Sequence, residues 1–129
     1  MLESTIREAV TAVLHHGDEI FMVRRNPALF SFPGYWAFPG GKVDAEDAQG
    51  RPRSGAWCEG IGATELEALA RELREEISFD LDAAVADGVV ESVHLIGNAL
   101  TPDIVPARFN TLFFRVALRA KPAITLDTG

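Results

Sequence analysis

Glu72, Glu75 and Glu76 stand at i, i+3 and i+4 in the run Arg71-Glu72-Leu73-Arg74-Glu75-Glu76. If that run is helical, at about 3.6 residues per turn, the three carboxylates share one face instead of scattering around the cylinder. Like charges held that close repel. They are tolerated where water solvates them, and they become useful where a hard divalent cation such as Mg²⁺ or Mn²⁺ lies among them, because such ions take oxygen ligands. The chemistry on offer is metal-assisted hydrolysis. The plain alternative is a solvated helix face, with Arg71 and Glu75 as an i,i+4 pair.

The flanking residues supply the helix. Leu66, Leu69, Ala70, Leu73 and Ile77 recur at spacings of three and four, an apolar stripe that faces a core while the glutamates face away. Thr64 followed three residues later by Glu67 has the form of a capping box, in which the hydroxyl accepts from an orphan N–H and the glutamate reaches back. The pattern predicts a helix over 64–77.

Upstream stands Ala37-Phe38-Pro39-Gly40-Gly41-Lys42-Val43-Asp44. Gly40 and Gly41 let the backbone turn tightly toward a metal or a phosphate, an ordinary turn being the alternative. Taken with the later run, this segment resembles the Nudix hydrolase family, whose box reads G-x5-E-x7-R-E-U-x-E-E-x-G-U, U being a bulky apolar residue. Gly41 matches the opening Gly, Arg71-Glu72 the RE pair, Leu73 the first U, Glu75-Glu76 the EE pair and Phe79 the last U. There are two departures. Counting back from Arg71, the family's first Glu falls on Ala63, whereas counting forward from Gly41 it falls on Asp47, so 16 residues are inserted. Glu46, Asp47 and Glu59 are the carboxylates available to fold back. The closing Gly is Ser78; a left-handed helix end there costs a residue with a side chain about 1 kcal/mol. Thr101-Pro102 and Pro106-x-Arg108-Phe109-x-Thr111-x-Phe113-Phe114 resemble the segment after the box in Nudix branches that act on coenzyme A and related organic diphosphates.

The resemblance implies an α/β fold, a mixed β-sheet sandwiched between helices. It implies a Mg²⁺-dependent hydrolase, with Mn²⁺ as a substitute, that cleaves a diphosphate linkage between a nucleoside diphosphate and another moiety. Coenzyme A-like or other organic diphosphates are favoured over oxidised nucleoside triphosphates. Glu72 and Glu76 are then the leading metal ligands, with Glu75 assisting. The general base is one of these or a glutamate outside the box, such as Glu91. Substrate phosphates are expected at Arg24, Arg25, Gly40, Gly41 and Lys42, while Arg71 pins the glycine-rich turn or Glu75. The family normally closes with a second helix, yet nothing beyond Leu118 has helical period. The domain is therefore expected to lack that helix or to be cut short, leaving a sheet face open to homodimer pairing. Ala63 and Ser78 keep a second reading alive: a catalytically impaired module that binds or senses a nucleotide.

Composition sets the outer limits. The 129 residues, 47% hydrophobic, suffice for a single domain over 1–129 with a real core. A net charge of −7 speaks against nucleic acid or anionic membrane as partner. The lone Cys58 excludes an internal disulfide, fits a reducing compartment and reads as an incidental loop thiol. No stretch of 18 apolar residues and no signal-like start occur, so a cytoplasmic location is expected.

Along the chain, 9–14 and 19–25 read as strands joined by a hairpin turn at His15-His16-Gly17-Asp18. Asn26 to Tyr35 reads as a loop, 36–38 as a short strand. Residues 44–62 carry Asp, Gly, Arg and Pro without apolar period and read as an exposed, mobile insertion, about 45–62. Strands follow at 89–96 and 110–118, with a proline-punctuated loop from Thr101 to Pro106. His15, His16 and His94 share no metal-ligand spacing. Phe30, Phe32, Tyr35, Trp36 and Trp57 suit either base stacking or core packing.

Overall fold

The computed structural model describes residues 6–24, 36–101 and 108–121. Strand β1 (Ile6–His16) is the spine. Its run Ala9-Val10-Thr11-Ala12-Val13-Leu14 is nearly continuous in apolar residues, the composition of a strand covered on both sides. Three short strands follow: β2 (Glu19–Phe21), β3 (Val23–Arg24) and β4 (Trp36–Ala37). β5 (Gly40–Lys42) comes next, then 3₁₀ turns at Ala45–Gln49 and Ala56–Cys58, helix α1 (Ala63–Ile77), helix α2 (Leu81–Ala86), and strands β6 (Val90–Leu100) and β7 (Arg108–Leu118).

The sheet is mixed. Its order is β2-β1-β7-β6, with β5 also on β1, while β3 and β4 form a separate pair. β1 and β7 run parallel from Ile6↔Arg108 to His15↔Ala117, and the other pairings are antiparallel. Val10, Ala12 and Leu14 on β1 form one cluster with Leu66, Leu69, Leu73 and Ile77 of α1, Leu81 of α2, Val93 of β6 and Phe114 and Val116 of β7. The fold is thus a sheet flanked by helices, as the resemblance implies.

Several local expectations need correction. α1 starts at Ala63 with Gly62 as its N-cap, two residues before the expected Thr64 cap, and no side chain caps its first turn; the Glu67 carboxylate accepts from Arg53 instead. The strand expected over 19–25 breaks at Met22 into β2 and β3, and β6 runs on past Ile96 to Leu100. α2 was not anticipated, although Asp80 caps it by accepting from the Ala83 N–H at 3.0 Å. The hairpin turn is as expected, with Gly17 at φ 58°. The loop expected over 26–35, most of the one expected over 101–106 and everything after Lys121 lie outside the described residues. Among the described residues no helix is long and apolar enough to cross a membrane.

Candidate active site

The two glycines of β5 are required for different reasons. A Cβ on Gly40 would run into the Val10 carbonyl of the neighbouring strand, whereas a Cβ on Gly41 would land on the Glu72 carboxylate. Main-chain bonds press the turn against β1: the Ala12 N–H donates to the Pro39 carbonyl and the Val43 N–H to the Glu8 carbonyl, both at 2.8 Å. The Gly40 N–H is left pointing at α1, where it donates to Glu76 Oε2 at 2.8 Å. The glycine turn and two of the three glutamates therefore touch. The apolar stripe sets this up: Leu73 and Ile77 are buried, which fixes the helix rotation and carries Glu72 and Glu76 to the β5 side.

Arg71 ties the region together. Its Nε and Nη2 donate to the two oxygens of Asp47 at 3.1 and 3.0 Å. Nη2 also reaches the Lys42 carbonyl at 2.9 Å, and Nη1 donates to Glu72 Oε1 at 2.8 Å. Glu75 lies further off, at 3.5 Å, with a side chain 57% exposed. So Arg71 pins the glycine-rich turn and reaches Glu75 as well. Of the three carboxylates weighed for the box's first acidic position, Asp47 is the one that folds back. It is buried, and its Oδ2 also accepts the Asp44 N–H at 2.7 Å.

Charge follows this geometry. Burial alone would raise the Asp47 carboxyl, but hydrogen bonds from Arg71 and the Asp44 N–H, with the Arg71 charge, outweigh it and hold the group below its ordinary value. Glu72 moves the other way. Burial raises it, Arg71 opposes, and the like charges of Glu75 and Asp44 add to the rise.

These side chains offer only carboxylate oxygens, the donor set a hard dication takes. Glu72, raised by burial with the like charges of Glu75 and Asp44 adding to it, is a carboxylate whose charge such an ion would favour. Among the described residues, however, no three His, Cys, Asp or Glu side chains are grouped so as to hold a metal.

The remaining candidates are scattered. Lys42 contributes its carbonyl to Arg71 and leaves its side chain exposed. The backbone of Arg24 ends β3 opposite Trp36, and Arg25 lies outside the described residues. Glu91 is exposed at a register shift of the edge strand β6.

Most of the insertion is exposed, as its composition suggests, but part of it packs inward. Cys58 is buried, and Trp57 and Ile61 pack against the core. The Cys58 thiol sits above its ordinary value because burial disfavours the thiolate. Arg53, with a side chain only 6% exposed, donates to both oxygens of Asp82 at 2.7 and 2.8 Å and to Glu67 at 2.9 Å. Arg53 leaves no signal in the sequence. Hydropathy cannot signal a charge that is buried because it is paired.

A family profile described as the NUDIX domain matches residues 5–127. No curated protein matches the chain. Among solved structures, the fold is similar to the NUDIX hydrolase from Alicyclobacillus acidocaldarius, with a TM-score of 0.72 at 24% identity, covering 98% of this chain and 76% of that one. It is also similar to the MutT protein from Methanosarcina mazei Go1, with a TM-score of 0.62 at 19% identity over 98% and 73% of the two chains. A third similar structure is the NUDIX domain of Shewanella oneidensis NrtR, complexed with ADP ribose, with a TM-score of 0.59 at 14% identity over 95% and 70%. At these identities the likeness shows the fold.

Proposed function

The chain belongs to the Nudix family of hydrolases, the match running over residues 5–127, and from that premise we propose that it is a Mg²⁺-dependent enzyme cleaving a diphosphate linkage. The substrate class we assign is a nucleoside diphosphate joined to another moiety, coenzyme A-like or another organic diphosphate. The observation that carries this reading is the contact of the glycine turn with α1: the Gly40 N–H on Glu76 and the Gly41 Cα against Glu72.

Glu72 and Glu76 would hold the ion, with Glu75 beside them. When bound, a divalent cation neutralises phosphate oxygens and makes a water nucleophilic near neutral pH. The chain's own part is orientation. Arg71 fixes Glu72, the Gly40 N–H fixes Glu76, the missing side chain at Gly41 leaves room for the Glu72 carboxylate, and that at Gly40 lets the turn sit against β1. Lys42, Arg24 and Arg25 are assigned to the substrate phosphates. We take residues 1–129 as one domain acting in the cytoplasm, and a homodimer as its assembly.

The test is a screen of coenzyme A, NADH, ADP-ribose, diadenosine polyphosphates and nucleoside triphosphates with Mg²⁺, run on wild type and on Glu76→Gln. Turnover of a diphosphate-linked compound that Glu76→Gln abolishes without unfolding is the expected result. Wild-type activity in that variant would sink the site assignment, and preference for a triphosphate would overturn the substrate class. Saturable nucleotide binding without any turnover would make the chain a binding module instead.

A further inference from the structure

Residues 47–53 lie along α1 and are fastened at both ends. At one end Asp47 accepts from Arg71 at 3.1 and 3.0 Å. At the other Arg53 donates to Glu67, one helical turn before Arg71, at 2.9 Å, and with its remaining nitrogens grips Asp82 of α2 at 2.7 and 2.8 Å. Between them Gly50 is pressed so closely on the Glu67 side chain that a Cβ has no room. This is a strap spanning one turn of α1, and the turn it spans leads directly into Arg71 and Glu72.

The strap solves a problem created by the insertion. With 16 residues more between Asp47 and Arg71 than the box spacing allows, the chain leaving Asp47 is not carried straight into the helix that Asp47 must meet. Closing a long free loop costs entropy. A second anchor shortly after Asp47 removes most of that freedom and fixes which part of α1 the segment lies on. Arg53 suits the task because its rigid planar fork binds a carboxylate with two parallel hydrogen bonds and still has a donor for a second acceptor. Its burial separates it from Arg51, which reaches Asp82 at 3.1 Å from a side chain 72% exposed.

We propose that Arg53 is a positioning residue for the hydrolytic site: by clamping the far end of the 47–53 strap to α1 and α2, it holds Asp47 on Arg71 and thereby sets the orientation of Glu72. The inference rests on the reading of Glu72 as a working carboxylate. It differs from a stabilising role, which would be exhausted by the folding equilibrium and leave the folded enzyme unchanged.

The experiment compares wild type with Arg53→Met, Arg53→Lys, Asp82→Asn and Arg51→Ala, each at a temperature where near-UV circular dichroism shows it folded. kcat and KM are measured on the best substrate of the screen, and Mn²⁺ binding by titration without substrate. Arg53→Met is expected to lower kcat and weaken Mn²⁺ binding about tenfold, the usual consequence of releasing a group that orients a ligand, with KM within about twofold. Arg53→Lys recovers part of both losses, and Arg51→Ala shows neither. A folded Arg53→Met with wild-type kcat and Mn²⁺ affinity overturns the proposal. If Arg53→Met does not fold, Asp82→Asn decides: a drop in kcat and Mn²⁺ affinity sustains the proposal, wild-type values reject it. Should wild type turn over no diphosphate, the hydrolase reading fails on its own and the Mn²⁺ titrations alone judge Arg53. A wild type with neither turnover nor saturable Mn²⁺ binding overturns both.

Discussion

Arg71 grips both oxygens of Asp47, at 3.1 and 3.0 Å, and with its remaining nitrogen reaches Glu72 at 2.8 Å. One guanidinium thus bridges a buried carboxylate of the inserted segment and a carboxylate of the helix face on which the chemistry is placed. Removing a partner from such a pair leaves a charge without compensation in a place water reaches poorly.

Asp47→Ala is therefore expected to cost about 3 kcal/mol of stability, read from the urea midpoint at constant slope. A change below about 0.5 kcal/mol, the level of an unremarkable surface substitution, would show that Arg71 finds full compensation in Glu72, Glu75 and the Lys42 carbonyl.

The same pair should make the protein acid-sensitive. Asp47 is held low against its own burial by Arg71 and the Asp44 N–H; Asp82 is held low by its hydrogen bond with Arg53, burial opposing and Arg51 assisting. For groups whose folded value is depressed, the contribution to stability is complete above the unfolded value, about 3.9, and is lost as pH falls through the folded value. Glu72 has the opposite sign. Its value is raised mainly by burial, so its contribution is complete below the unfolded value and is lost as pH rises through the folded one. Urea unfolding at a series of pH values should show stability draining below about pH 4. Asp47→Asn should flatten that limb, and an unchanged limb in the variant would remove Asp47 from the account.

Gly41→Ala and Gly40→Ala should fail in different ways. At Gly41 the added Cβ meets only the end of the Glu72 side chain, which can swing aside, so the fold survives and the carboxylate is displaced. A misplacement of that kind costs up to about a hundredfold in rate. At Gly40 the Cβ meets the backbone of β1, which cannot move without breaking the sheet, so the loss appears in stability. Unfolding curves and kcat on both variants separate the two, and equal stability losses would contradict the assignment.

What was legible in the sequence follows from what leaves a pattern. α1 was readable because fifteen residues give the apolar stripe room to repeat, and the box spacing brought Gly41 and Glu72 to notice before their contact was known. α2, at six residues, is too short to show a period, although Asp80 as cap, Leu81 and Ala84 as inward residues and Gly88 beyond its end were all present. The inward contacts of the insertion leave no pattern for a different reason. Its buried groups are Asp47, Arg53 and Cys58, and two of those are charges whose burial depends on partners far away in sequence. The Thr64 capping box does not form, since the helix already begins at Ala63 and Thr64 lies inside it.

Ser78 ends α1 in the left-handed region, at φ 54° and ψ 33°. Its N–H donates to the Arg74 carbonyl and the Phe79 N–H to the Leu73 carbonyl, both at 3.1 Å, so the backbone geometry is that of a glycine-type helix stop carried by a serine. Ser78→Gly should raise stability by about 1 kcal/mol, less the extra freedom glycine gives the unfolded chain. Thermal unfolding is the check. Destabilisation would mean that the serine hydroxyl contributes more than the strain it carries.

Deleting residues 48–62 tests whether the insertion is an ornament or part of the core. A loop without buried contacts could be removed at little cost, but the structure argues otherwise. Removal takes away the Cys58 side chain and the packing of Trp57 and Ile61 on the cluster that includes Val90 and Val93, and it strips Arg53 from Glu67 and Asp82. The loss of Arg53 alone leaves carboxylates on α1 and α2 without their counter-charge, a defect of about 3 kcal/mol. Uncovering the cluster adds more, at about 25 cal/mol for each Å² of apolar surface returned to water. A small domain has only some 5–15 kcal/mol to lose, so the deleted chain should fail to fold, with no cooperative unfolding transition. A cooperative transition near the wild-type midpoint would restore the reading of these residues as a dispensable loop.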